Sequence, residues 1–185
     1  MTKRTTGIGA VVILALSMAG MSSVAAKTKS GLSELDANAL QMAEDACRNE
    51  EFTSLLQAMA ISDAVRLKYS APTISIVRDG DATSVSSGNY DDFPVGMLDY
   101  YWISRASMLA WEDNPDAEIE HLEMEFNQSQ SNQWAVDWQQ VRYDGNSSGG
   151  DDLGEVVERI GQPGVLLFEL TRDCWELVED YRGQG

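Results

Sequence analysis

The sequence predicts an α+β domain with two or three N-terminal helices packed on a curved, antiparallel sheet of about six strands. Three observations carry that prediction. Apolar residues recur at helical spacing between Ser33 and Tyr69. From Pro72 the period falls to two, beginning with the β-branched run Thr73-Ile74-Ser75-Ile76-Val77. Near the end, Gly164 to Asp180 reads as two short apolar strands around a Thr171-Arg172-Asp173 turn.

In chain order, Ser33 caps a first helix with Glu34 and Asp36 in its first turn. Its stripe is Leu35, Ala39, Met42, Ala43 and Ala46. Asn49 is the expected cap of a second helix whose buried face is Phe52, Leu55, Leu56 and Met59. Ser62 and Asp63 restart a short third helix, which Pro72 blocks. After the strand at 73–77, Asp79-Gly80-Asp81-Ala82 is a turn and 83–88 a weak returning strand. Met97 to Ser104 reads as one aromatic strand, and 107–116 as a loop or short turn containing Trp111 and Asn114-Pro115.

Two strands follow in clear alternation. In 118–127, Leu122, Met124 and Phe126 face one way and His121, Glu123 and Glu125 the other. In 134–143, Trp134, Val136 and Trp138 share a face. A Gly/Ser/Asp loop covers 144–154, and a short helix is expected over Glu155 to Ile160.

Residues 1–26 read as a signal peptide: Lys3 and Arg4, an apolar run from Ile8 to Met18, and small residues through Ala25-Ala26. Uncleaved, Gly7 to Ala26 could just span a bilayer, but its Gly and Ser content and its length favour cleavage. The sequence thus predicts export by the general secretory route to the periplasm or the outside of the cell, with no stable membrane anchor after cleavage. One domain is expected over 27–185. Of the 13 basic residues, losing Lys3 and Arg4 leaves 11 against 30 acids, a net charge of −19. Such a field repels phosphate backbones, so nucleic acid is not an expected partner.

Cys47 and Cys174 are the chain's two cysteines. In an exported chain they most simply form one disulfide joining the first helix to the closing hairpin. Two buried thiols, or one catalytic thiol, are the alternatives. There is no Cys-x-x-Cys pattern, and Glu44, Asp45 and Asp173 disfavour a thiolate.

Asp144, Asn146, Ser148, Asp152 and Glu155 stand at positions one, three, five, nine and twelve of a calcium-loop count, with Gly149 at position six. Against calcium stand Asp151 at the usual apolar position and a preceding strand instead of a helix. A solvated loop is the expectation, and no other cofactor is indicated. His121 is the single histidine, which excludes His-rich metal sites. It could serve as a lone general base beside Glu123 or Asp99, although its strand face favours solvent. Tyr100, Tyr101, Trp102, Trp111, Trp134, Trp138 and Trp175 could line an apolar ligand pocket, but a core role is expected first.

The order of elements resembles the cone-shaped, cystatin-like fold of the nuclear transport factor two-like and ketosteroid isomerase-like superfamily. The carrying pieces are Phe52 to Tyr69, with its Ala64-Val65-Arg66-Leu67-Lys68-Tyr69 end, and the closing pair Val165–Leu170 and Trp175–Val178. The resemblance implies a concave sheet whose mouth holds a small ligand, in members that range from isomerases to non-catalytic binding domains. Isomerase members use a Tyr and Asp pair that maps to no particular positions here. No catalytic residue is carried over, and Asp99, Tyr101 and His121 are the polar residues to inspect. The functional expectation is an exported, non-catalytic binding or structural module that takes a small apolar ligand or a protein partner. The alternatives are a small isomerase- or hydrolase-like pocket enzyme and a calcium-stabilised structural domain.

Overall fold

Ser33 starts α1, Glu34–Asn49, by accepting the Asp36 N–H on its hydroxyl at 3.0 Å. Ala39, Ala43 and Ala46 bury its inner stripe, while Leu35, expected on that stripe, is 57 % exposed. Glu50 ends the helix in the left-handed conformation at φ 58°. Asn49 is therefore the last residue of α1 and does not cap the next helix, correcting that expectation. Helix α2, Phe52–Ile61, begins without a side-chain cap. Its start is set by packing, because Phe52, Leu55, Leu56, Ala58, Met59 and Ala60 are all buried. Ser62 caps α3, Asp63–Lys68, by accepting the Val65 N–H. The computed structural model describes residues 32–130, 132–150 and 152–183, so the predicted signal segment lies outside the described residues. Among them, no helix is long and apolar enough to cross a membrane.

Eight strands form one sheet in the order β2-β1-β8-β7-β6-β5-β4-β3. They are β1 Ser70–Arg78, β2 Asp81–Ser86, β3 Val95–Leu98, β4 Tyr101–Ser104, β5 His121–Gln130, β6 Gln133–Tyr143, β7 Val156–Leu170 and β8 Trp175–Arg182. Every pairing is antiparallel except β1 with β8, which is parallel. The expectation of about six antiparallel strands is corrected on both points. That parallel pair joins strands distant in sequence and leaves no local pattern. Pro72 falls where the β1–β8 register is interrupted, between Ser70 and Ser75, so its missing N–H breaks no regular ladder.

Three further segments differ from expectation. The 97–104 run is a hairpin rather than one strand, because Asp99 takes φ 53° and turns β3 back onto β4. Residues 105–113 form α4, Arg105–Asp113, where a loop was expected. Ser104 caps this helix and Asn114-Pro115 ends it. Only Ser107 and Met108 are buried on it, too thin an apolar stripe for periodicity to reveal. Glu155 to Ile160 is not a helix. Val156 to Ile160 begin β7, a better state for Val156, Val157 and Ile160 than a helix too short to stand alone. Ion pairs of Arg142 with Glu158 at 2.7 Å and Arg159 with Glu123 at 2.6 Å tie this stretch to its neighbours. At Asp79-Gly80 both residues have positive φ, 53° and 86°, which fits the tight β1–β2 hairpin.

Phe52 connects the helices to the sheet. Its ring stacks on Trp134 at 4.8 Å and meets Phe168 and Trp175 edge-on at 5.0 and 5.7 Å. Trp102, Met124, Phe126, Trp134 and Trp138 pack against the same core. Tyr100 does not, being 78 % exposed. Beside this core, Cys47 near the end of α1 is bonded to Cys174 in the β7–β8 turn, with Cα atoms 5.3 Å apart. Because Cys174 precedes the regular strand, both it and Trp175 are buried toward the helices.

Gly164 pairs with Trp138 across β6 and β7. A Cβ on Gly164 would lie 2.3 Å from the Trp138 indole. Gly164→Ala is therefore expected to lower stability by about 1–3 kcal/mol in urea melts through overpacking. An unchanged midpoint would mean that the indole shifts freely.

Candidate functional site

The site grows from a defect in β8. Phe168 pairs with Leu177, but Leu167 pairs with Glu179, so Val178 is an extra residue. Such a bulge reverses the inside–outside alternation beyond it. Trp175 and Leu177 face the core, and after the bulge Asp180 does so too, with no solvent exposure. A buried carboxylate must be paired. The Tyr90 hydroxyl donates to Asp180 Oδ2 at 2.7 Å, and the Arg182 guanidinium reaches the same oxygen at 2.8 Å. Arg182 also bonds the Asp92 side chain at 3.1 Å and the Asp92 carbonyl, while Arg78 pairs with Asp92 from β1. Together these bonds fasten the segment after β2, including the short 3-10 turn Ser87–Asn89, over the sheet, and bring Tyr90 and Phe93 into the core.

That segment, α3, the start of β1 and α4 enclose a cleft of about 390 Å³. On α3, Arg66 is buried; it donates to the Met59 carbonyl at 2.5 Å and lies over the Phe93 ring at 5.4 Å. Arg105 opens α4 on the other wall. Both guanidinium groups contact one oxygen, Asp63 Oδ1, Arg105 at 2.8 Å and Arg66 in a direct ion pair. Two cations thus share one carboxylate, and that carboxylate is 78 % exposed, so solvent screens its attraction. Burial, then the nearby charge of Arg105, holds the Arg66 pKa down at about 9. Burial also lowers that of Arg105, with Glu112 opposing.

The lower wall holds Ser70, buried, whose hydroxyl has no hydrogen-bond partner among the described residues. Among the described residues the guanidinium of Arg105 makes one hydrogen bond, to Asp63, which leaves further N–H groups uncommitted. Leu67 and Leu109, both exposed, flank the cleft, and exposed Asp91 lies on its lining.

The residues singled out from sequence lie elsewhere. Tyr101 and Tyr143 meet His121 edge-on, with ring centroids 5.8 and 5.6 Å away. Burial lowers the His121 pKa, and its Nδ1 has no hydrogen-bond partner among the described residues. Neither expected acid partner serves it: Glu123 pairs with Arg159, and Asp99 is exposed in the β3–β4 turn. In the 144–155 loop the carboxylates form two separate knots. Asp144 accepts the N–H groups of Asn146 and Glu155 at 2.9 and 3.2 Å and the Asn146 side-chain amide at 2.7 Å. Asp152 accepts the N–H and hydroxyl of Ser148 at 2.8 and 2.5 Å and the Gly154 N–H at 2.9 Å, which hold its pKa near 2. Among the described residues, no three His, Cys, Asp or Glu side chains are grouped to hold a metal ion.

Sequence reading missed Arg66, Ser70, Tyr90, Arg105, Asp180 and Arg182. Periodicity carried no signal for Arg66, because extended Ser62 separates α2 from α3 and no helical face runs from Met59 to Arg66.

No family model matches the chain, and no curated protein matches it. Among solved structures it is similar to an NTF2-like protein of unknown function from Prochlorococcus marinus, at 15% identity. That match covers 74% of this chain and 92% of the other, with a TM-score of 0.36. It is also similar to an NTF2-like protein with a cystatin-like fold from Novosphingobium aromaticivorans (11% identity, 84% and 90% covered, TM-score 0.33). A DUF4783 family protein from Bacteroides fragilis is similar as well (6% identity, 66% and 87% covered, TM-score 0.36).

Proposed function

We propose that this chain is an exported, non-catalytic binding module whose ligand site is the cleft between α3 and α4. One observation carries the reading: among the described residues the buried hydroxyl of Ser70, a residue of the cleft lining, has no partner, and Arg105 on the same lining makes a single side-chain hydrogen bond. Buried polar groups are normally paired, so an unpaired one on a cleft wall supports a ligand that completes it. The inner face of the sheet offers less, because its large aromatic side chains pack into the core. The disulfide supports a working place outside a reducing cytoplasm.

An enzyme reading would draw on the buried Tyr90–Asp180 pair. Asp180 has no solvent exposure and is ion-paired with Arg182, which favours a structural role for that pair. The binding reading is tested by NMR screening of a fragment library. Hits are expected to shift the Leu67 and Leu109 methyl groups and the Ser70 and Ser87 amides. Hits confined to other surfaces, such as the groove between Glu123, Trp138 and Arg159, would overturn the assignment.

A further inference from the structure

We propose that the ligand of this cleft is a small amphiphilic monocarboxylate, its carboxylate held by Arg105 and Ser70 and its apolar part against Leu67 and Leu109. The proposal rests on the cleft being the binding site and adds the ligand's chemistry.

The charge arrangement selects an anion of low charge. Arg66 and Arg105, with side chains 7 % and 14 % exposed, share a single oxygen of Asp63, whose side chain is 78 % exposed, so solvent-screened Asp63 only partly offsets their positive field on the inner side of the cleft. Exposed Asp91 on the same lining, Asp36 acting on Arg66, Glu112 acting on Arg105 and a chain net charge of −17 limit that field. A dianion such as phosphate meets more repulsion from these acids than a monoanion does. The donor geometry agrees. A guanidinium offers parallel N–H groups that match the two oxygens of a carboxylate, and the Ser70 hydroxyl can add a third bond.

The apolar half follows from the walls. Leu67 and Leu109 are among the exposed large apolar residues of the described chain, and both line this cleft. In an acidic protein a bare anion gains little, so burial of a hydrocarbon segment against these leucines supplies the rest of the affinity. An uncharged apolar molecule would leave Ser70 and Arg105 unsatisfied and desolvated, which a carboxylate avoids.

Hexanoate, hexanol and inorganic phosphate test this by NMR titration of the intact domain. Hexanoate is expected to give saturable shifts at the Leu67 and Leu109 methyl groups, with hexanol and phosphate weaker by about tenfold. Arg105→Gln should weaken hexanoate by about tenfold and leave hexanol unchanged, with the ligand-free melting curve as the check on folding. Leu109→Gln, an independent exposed-site variant, should weaken hexanoate and hexanol alike. Equal binding of hexanoate and hexanol would overturn the carboxylate while leaving the cleft as the site. Phosphate as strong as hexanoate would overturn the amphiphile. If none of the three binds while fragment hits still map to Leu67 and Leu109, the ligand class is wrong and the site stands. If the fragment hits also map elsewhere, both fall.

Discussion

Arg182→Met is expected to destabilise the domain by about 3–5 kcal/mol, the usual cost of leaving a buried charge without its partner. Asp180 has no solvent exposure, and its remaining hydrogen bond would be that from Tyr90. The same substitution removes the bonds to Asp92, so the 90–94 segment loses its hold on β8. Urea melts measure the loss. Converting the network together, with Tyr90→Phe, Asp180→Leu and Arg182→Met, should recover most of it, because no buried charge then stands alone. A single Arg182→Met variant as stable as the parent would mean that Asp180 reaches water or another partner.

The network also gives the domain an alkaline limit. Burial, followed by the charge of Asp180, raises the Tyr90 pKa well above 10. The folded chain therefore keeps a proton that the unfolded chain loses. The stability contributed is complete below about pH 10 and is lost as pH rises beyond it. Arg66 works in the opposite sense: between about 9 and its ordinary value of 12.5 the unfolded chain binds more protons, so its contribution grows with pH. The informative quantity is thus the difference between Tyr90→Phe and the parent, which should shrink as pH rises above 10.

The second large effect belongs to the Cys47–Cys174 bond. It closes 127 residues of sequence separation, which in the loop-entropy account corresponds to about 5 kcal/mol at most. The Cys47→Ser, Cys174→Ser double variant, or reduction of the parent, is expected to cost about 2–5 kcal/mol in thermal or urea melts. Identical melting with and without reductant would show that α1 is held on the sheet by packing alone.

Helices α1 to α3, the hairpin at Asp79-Gly80 and the paired strands around His121 and Trp134 were legible in sequence because each repeats a local period or a turn dipeptide. The site was not. Asp180 follows Trp175 and Leu177 at the wrong parity for a buried residue, and only the extra residue at Val178 turns it inward. Nothing in Val178 itself announces that. Arg105 lies on a helix whose buried face is two residues wide, and Tyr90 lies in a segment that reads as an ordinary loop. The site's residues come together through tertiary pairing, which leaves no periodic trace. The aromatic residues were visible but carried less meaning than their number suggested: most are core, and Tyr100 is solvent-facing.

The place of β8 between β1 and β7 bears on how the sheet is assembled. It alone bridges the β1–β2 hairpin to the other strands, through pairs such as Ser70 with Leu177 that lie far apart along the chain. Until β8 arrives, the hairpin and the β3–β7 strands have no hydrogen bond between them. Closure of the sheet is therefore a late, non-local event, and folding should be slow for a domain of this size, on the order of milliseconds to seconds. A nascent chain lacking its last strand would carry four open sheet edges, two more than the finished sheet, so the period before β8 docks is when this protein is most exposed to wrong pairing.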